Sequence, residues 1–172
     1  MDGVEPRTYR RALAAAAIGA VLLLTSCAPA PAPEPLTASA AADSLAHVDG
    51  LVHTSVTVED MGDGHDIAVT AFLEDGYKIA DPTMFADYLI RLAWSVDGTE
   101  PDQGVILTVV AGAGDTFNIA DALADGGWIK PREDTDPLVI YLDPAIDGAT
   151  FGKLGDWPGS APTIPDGAVA PR

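Results

Sequence analysis

Apolar positions recur along the chain at three different spacings, and each predicts a different element. From Ala12 to Leu24 they form one unbroken run of thirteen residues without charge or proline. From Leu51 to Leu73 they alternate: Val52, Val56 and Val58 stand among threonines, and Asp66–Leu73 repeats the pattern, so two strands are predicted. The glycine-containing stretch Asp60-Met61-Gly62-Asp63-Gly64-His65 lies between them and predicts a hairpin connection. Met84, Phe85, Tyr88, Leu89, Leu92 and Val96 recur instead at helical spacing behind Asp81-Pro82, which supplies an N-cap and a first-turn proline, and Gly98 is placed to end the helix after Asp97.

The remaining elements follow from the same reading. Residues 36–48 predict a first helix, capped by Thr37 or Ser39, with Ala41, Leu45 and Val48 on one face and Asp49-Gly50 as its stop. Val105–Ala111 is apolar apart from Thr108 and reads as a buried central strand. Thr116–Ala124 predicts a short helix with Asp115 as cap, and Leu138–Leu142 a last strand. The order helix, strand, strand, helix, strand, short helix, strand predicts α+β class: a two-layer sandwich on a small mixed or antiparallel sheet with two main helices. Trp94, Trp128 and Trp157 are expected in the core, with Trp157 pinning the preceding loop, and 161–172 are expected to fray.

The run Ala12–Leu24 is not expected to span a bilayer. Thirteen helical residues reach about 20 Å, against a hydrocarbon core of about 30 Å. Arg7, Arg10 and Arg11 precede it, and the small residues Thr25 and Ser26 lead into Cys27, the chain's one cysteine, so the first 26 residues have the layout of a signal peptide. Arg10-Arg11 also raises twin-arginine export. Leu24-Thr25-Ser26-Cys27 resembles the lipobox of bacterial lipoproteins. That resemblance implies a diacylglyceryl thioether on Cys27, cleavage between Ser26 and Cys27, and a protein held at the extracytoplasmic face of the cell membrane. Two acyl chains suffice for stable anchoring where one does not, because each buried methylene contributes about 0.8 kcal/mol.

Ala28–Pro35 alternates alanine or glutamate with proline, which favours polyproline II. At about 3.1 Å per residue its eight residues reach about 25 Å, so 27–36 reads as a lipidated tether and 37–160 as one domain. Cleavage before Cys27 would remove three of nine basic and two of 26 acidic side chains, leaving six against 24 and a formal charge of -18 on 146 residues. Such a surface repels nucleic acid and anionic lipid headgroups, which argues against basic-patch binding; cationic partners and divalent ions are compatible with it. With Cys27 acylated no cysteine is left for a disulfide, and stability rests on packing.

Candidate chemistry is sparse. No nucleophile elbow, zinc-protease helix or phosphate loop occurs, and no motif requires a cofactor. Asp60, Asp63 and Asp66, with His65, form the densest group of oxygen ligands and are the candidate calcium site, although they lack the spacing and closing glutamate of an EF-hand loop. Ser44 and His47, near Asp43, lie three residues apart on the first helix; capping and solvent exposure account for them without catalysis. His47, His53 and His65 fit no ligand spacing, and Gly112-Ala113-Gly114-Asp115-Thr116 is a fragment of an anion-binding turn that Asp115 opposes. Glu133-Asp134-Thr135-Asp136 reads as an exposed loop.

Residues 38–111 resemble, in element order and in the turn Asp49-Gly50-Leu51-Val52, most of a ferredoxin-like split βαβ domain or a BON-like envelope module. In the permuted version this implies, Leu138–Leu142 fills the place of the missing first strand. The cysteine pair of metal-transfer members is absent. The alanine-rich, acidic composition is similar to that of actinobacterial proteins. Together these imply an envelope lipoprotein acting as a non-catalytic binding or scaffold module toward another envelope protein or a ligand. A surface hydrolase using carboxylates and a calcium-dependent binding module are the alternatives. A shallow sheet face with an apolar patch favours the first, and a deep cleft with two converging carboxylates of shifted pKa favours the enzyme.

Overall fold

The computed structural model describes residues 35–172 apart from 61, 63, 113, 114 and 134. The signal peptide, Cys27 and most of the proline tether lie outside the described residues, as do Asp63, Ala113, Gly114 and Asp134.

Helix α1 spans Ala38–Ala46, and of its two expected caps Thr37 serves, its Oγ1 accepting from the Ala40 amide at 3.1 Å. Ala41 and Leu45 are its buried positions. Strands β1 (Leu51–Asp60) and β2 (His65–Leu73) form the expected antiparallel hairpin. The register pairs Leu51 with Leu73 and Val56 with Val69, so five steps on β1 oppose four on β2. The extra residue lies between Val52 and Ser55, where His53 adopts φ 47°. This bulge keeps both Leu51 and Val56 on the helix side of the sheet.

Helix α2 spans Pro82–Trp94, with Asp81 accepting from the Met84 amide and the Thr83 hydroxyl, both at 2.9 Å. Phe85, Tyr88, Leu89 and Leu92 are buried, whereas Met84 is 43% exposed and leaves the expected stripe. The helix stops at Trp94 and does not continue to Asp97, because Leu36 captures the next backbone groups: its amide donates to Ser95 O at 2.8 Å, and its carbonyl accepts from Asp97 N at 2.7 Å.

Strand β4 (Gly104–Val110) lies parallel and directly adjacent to β2, and β5 (Val139–Leu142) runs antiparallel on the far side of β4. The sheet is mixed, in the order β1-β2-β4-β5. No strand separates β2 from β4, so the βαβ crossover through α2 is unsplit. The strand expected to fill that gap forms the opposite edge. Helix α3 is shorter than predicted, Ile119–Asp125, and Asn118 caps it by accepting from Ala120 and Asp121 amides at 2.9 and 3.2 Å. Asp115 makes a turn to the Phe117 amide instead.

The carboxyl-terminal end is not frayed throughout. Strand β6 (Val169–Pro171) pairs antiparallel with β3 (Tyr77–Ile79). Ala168, fully buried, accepts from the Ala80 and Asp81 amides, and Arg172 donates to Tyr77 O at 2.8 Å and to Asp115 at 3.0 Å. Helix α4 (Gly148–Leu154) was likewise not predicted. Trp94 pins its far end: the indole Nε1 donates to Gly155 O at 3.1 Å, the ring meets Phe151 edge-on at 5.3 Å, and Gly159 N donates to Trp94 O at 2.8 Å. Trp157, expected in the core, is half-buried, and its indole nitrogen is enclosed.

The core lies between helices and sheet, with Leu45, Ile67, Val69, Phe85, Leu89, Leu107, Leu123 and Leu142 all buried. At the start of β4 the two strands approach so closely that a Cβ on Gly104 would sit 2.2 Å from the Leu142 carbonyl oxygen. Gly104→Ala is expected to push β5 off β4 and to lower stability by about 2 kcal/mol in urea unfolding. An unchanged midpoint would contradict that register.

Candidate functional site

Side chains alternate across a strand, so the sheet has a second face away from the helices. It carries Val52 and Ser55 on β1, Asp66, Ala68, Thr70 and Phe72 on β2, Ile106, Thr108 and Val110 on β4, and Val139 and Tyr141 on β5. Apart from Asp66, all of these are exposed or half-buried: Phe72 is 36% exposed, Val139 37% and Tyr141 41%. His53, raised on the bulge, stands edge-on to Phe72 with ring centroids 6.0 Å apart.

This corrects the reading of β4 as a buried strand. It is central and largely apolar on both faces, but helices cover only Val105, Leu107 and Val109. The signal was in the sequence: an apolar run broken only by Thr108 supplies two largely apolar faces, and one layer of helices covers one.

The face is polarised from end to end. Val52, Phe72 and Val110 share one register level at its apolar end. At the other end Glu59 is directly opposite Asp66, with Asp102 and Tyr141 alongside. Asp66 is only 3% exposed. Tyr141 donates its hydroxyl proton to Gln103 O at 2.8 Å, while Asp66 Oδ1 is at 3.5 Å, the limit of a hydrogen bond. Burial pushes the Asp66 carboxyl above the ordinary aspartate range; the Tyr141 contact opposes this, and the negative charges of Glu59 and Asp102 add to it. Tyr141 is raised too, by burial and then by Asp66 and Asp143.

A carboxyl raised on folding binds its proton more tightly in the native state, so stability falls as pH rises from the ordinary aspartate range through the folded value. Asp66→Asn is therefore expected to raise the urea midpoint at pH 7 and to flatten its pH dependence over that window. A lower midpoint with an unaltered profile would show the carboxylate to be favourable as it stands.

Of the expected ligand groups, Asp60 and Asp66 are not brought together, and Asp63 lies outside the described residues. Strand alternation sends Asp60 to the other side of the ladder from Asp66, and Asp60 Oδ1 accepts from the Gly62 amide at 2.9 Å. Among the described residues no three His, Cys, Asp or Glu side chains are grouped to hold a metal ion. The Ser44 hydroxyl meets the Tyr88 hydroxyl at 3.1 Å, and His47 Nδ1 meets the Asp43 carbonyl at 2.6 Å, so Ser44 and His47 are engaged separately. Asp115, on a cleft of about 190 Å³ shared with Asp121 and Asp125, is neutralised by Arg172. Asp136 caps Leu138 N at 2.8 Å. No helix among the described residues is long and apolar enough to cross a membrane.

Comparison with protein-family models, curated proteins and solved structures finds no match to this chain.

Proposed function

We propose that this chain is a bacterial envelope lipoprotein, acylated at Cys27 and tethered to the extracytoplasmic face of the cell membrane, whose α+β module binds another envelope protein through its open sheet face. The observation that carries the binding role is a central strand whose open face presents Ile106 and Val110 around Thr108, with only the other face covered. The location rests on Leu24-Thr25-Ser26-Cys27 and the basic and apolar segments before it.

The partner is a protein surface with an apolar patch flanked by lysine or arginine. Phe72, Val110 and Val139 offer apolar contact, while Glu59 and Asp102 beside the buried Asp66 supply the complementary negative end. Complementary charge speeds encounter and fixes orientation, so binding weakens as salt is raised. Self-association is disfavoured by the net charge of -17 on the whole chain.

Cys27→Ser is expected to move the protein from the membrane pellet to the soluble fraction and to remove the diacylglyceryl mass from the mature amino terminus. Unchanged partitioning with an unacylated amino terminus would overturn the anchoring. For the face, a photo-crosslinker at Val139 should trap one reproducible protein in cells, and Phe72→Lys with Val110→Lys should abolish the adduct. A crosslink to a second copy, or an adduct indifferent to those substitutions, would overturn the partner assignment.

A further inference from the structure

The basic side chains are gathered, not scattered. Of the six that follow residue 26, Lys78 and Arg172 lie apart; of the other four, two stand on the Trp128 indole and two line the cleft beside it. Arg91 Cζ stands 5.0 Å from the Trp128 ring centroid and Lys153 Nζ 3.8 Å from it. Lys130 and Arg132 line the adjoining cleft of about 370 Å³, between the turn after α3 and the start of α4. We propose that this cleft binds a small organic anion: one carboxylate or phosphate group carried on an apolar body.

The balance of charge at the cleft is positive. Arg91 is paired with Asp87 at 2.9 Å, and Arg132 with Asp147, the one carboxylate among the lining residues. Lys153 rests on the indole and the Gly126 carbonyl, and Lys130 is exposed; among the described residues neither meets a carboxylate at ion-pair distance. The lining thus carries Lys130 and Arg132 against the single carboxylate of Asp147, with Lys153 beside it on the indole, on a strongly acidic chain. Exposed charges beyond about 8 Å are largely screened at physiological salt, so the local excess decides what enters.

The rest of the lining sets the ligand class. Trp128, Ile129, Ile146 and Ala149 are apolar, and Ile146 is left 76% exposed at the rim. A bare inorganic anion would leave that surface wet, and a polyanion would extend onto the acidic surround. An apolar body with one anionic group satisfies both parts, and the volume is within the range of small-molecule sites. Arg132 adds direction: Nη1 donates to Tyr141 O at 3.3 Å and Nη2 to Asp147, which leaves further N–H donors on a side chain 28% exposed.

The test uses the mature full-length chain in non-ionic detergent, with phenyl phosphate and benzoate as probes and backbone amide shifts as readout. Saturable shifts confined to Gly127–Arg132 and Ile146–Thr150 are expected. Lys130→Glu and Ile146→Asp, both surface changes, should each weaken binding by about ten-fold or more while leaving the unfolding midpoint in place. Benzylamine should give no saturable shift. The assignment is overturned if neither anion saturates, if inorganic phosphate binds as tightly as phenyl phosphate, or if both variants keep full affinity. The sheet face is not involved, so this outcome and that of the crosslinking experiment are independent.

Discussion

Alanine in place of Phe85 is expected to cost about 4 kcal/mol of unfolding free energy. Phe85 is fully buried in the first turn of α2 and meets Phe117 edge-on, with ring centroids 6.3 Å apart and planes at 65°. That contact fastens α2 to the segment leading into α3. Truncation removes the transfer free energy of the ring and leaves a cavity that the surrounding helices and sheet only partly fill. The aromatic pair adds about 1 kcal/mol beyond burial. Alanine is a strong helix former, so the loss is one of packing and not of helicity. A domain of this size has about 5–15 kcal/mol in total, which makes the expected loss a large share. Urea unfolding followed by circular dichroism should show a lower midpoint with an unchanged slope. The adjacent Met84→Ala, at a side chain 43% exposed, should stay within about 0.5 kcal/mol. Equal effects at the two positions would mean that α2 presents a different face to the core.

The same helix shows what the sequence made legible and what it did not. Asp81-Pro82 and the spacing of Phe85, Tyr88, Leu89 and Leu92 fixed its start and its buried face, because both signals are local. Its end was misplaced, since the groups that close it belong to Leu36, far away in the chain. Distance in sequence also hid the β3 and β6 pair: three residues at 77–79 join three at 169–171, too short for any periodicity to register. Helix α4 contains Gly148 and Gly152, poor helix formers, and rests on Phe151 against Trp94 and on the Asp147–Arg132 contact. The strands of the sheet were found but not their order. A hydrophobic run states that a strand is central without stating which neighbours flank it, and β5 was consequently expected between β2 and β4.

The candidate sites divide in the same way. The acidic residues at 60–66 stood out by density alone, but the hairpin's alternation separates Asp60 from Asp66, and density carries no information about facing. The open face and the Trp128 cleft depend on residues brought together from segments distant in the chain. Tyr141 reaches Gln103 across 38 positions, and Lys153 reaches the indole of Trp128 from α4.

Arg132→Ala is expected to cost about 3 kcal/mol, because it strands a carboxylate rather than merely deleting a surface contact. Asp147 is 9% exposed and precedes α4; its two oxygens accept from the Arg132 guanidinium and from the Asp143 amide at 3.1 Å. The same guanidinium donates to the Tyr141 carbonyl of β5, so one side chain ties the loop after α3 to the edge strand and to the start of α4. Lysine retains the charge but not the planar fork, and Arg132→Lys should recover less than half of the loss. Replacing both partners, Arg132→Met with Asp147→Leu, removes the stranded charge, so the double variant should be more stable than Arg132→Ala with Asp147 intact. A loss below about 0.5 kcal/mol for Arg132→Ala would show that Asp147 is satisfied by water alone. Lys130, two residues earlier and exposed, has no such tie among the described residues, and Lys130→Glu should leave the unfolding midpoint unchanged while weakening anion binding. Only that contrast separates the cation that holds the loop from the cation exposed at the rim of the cleft.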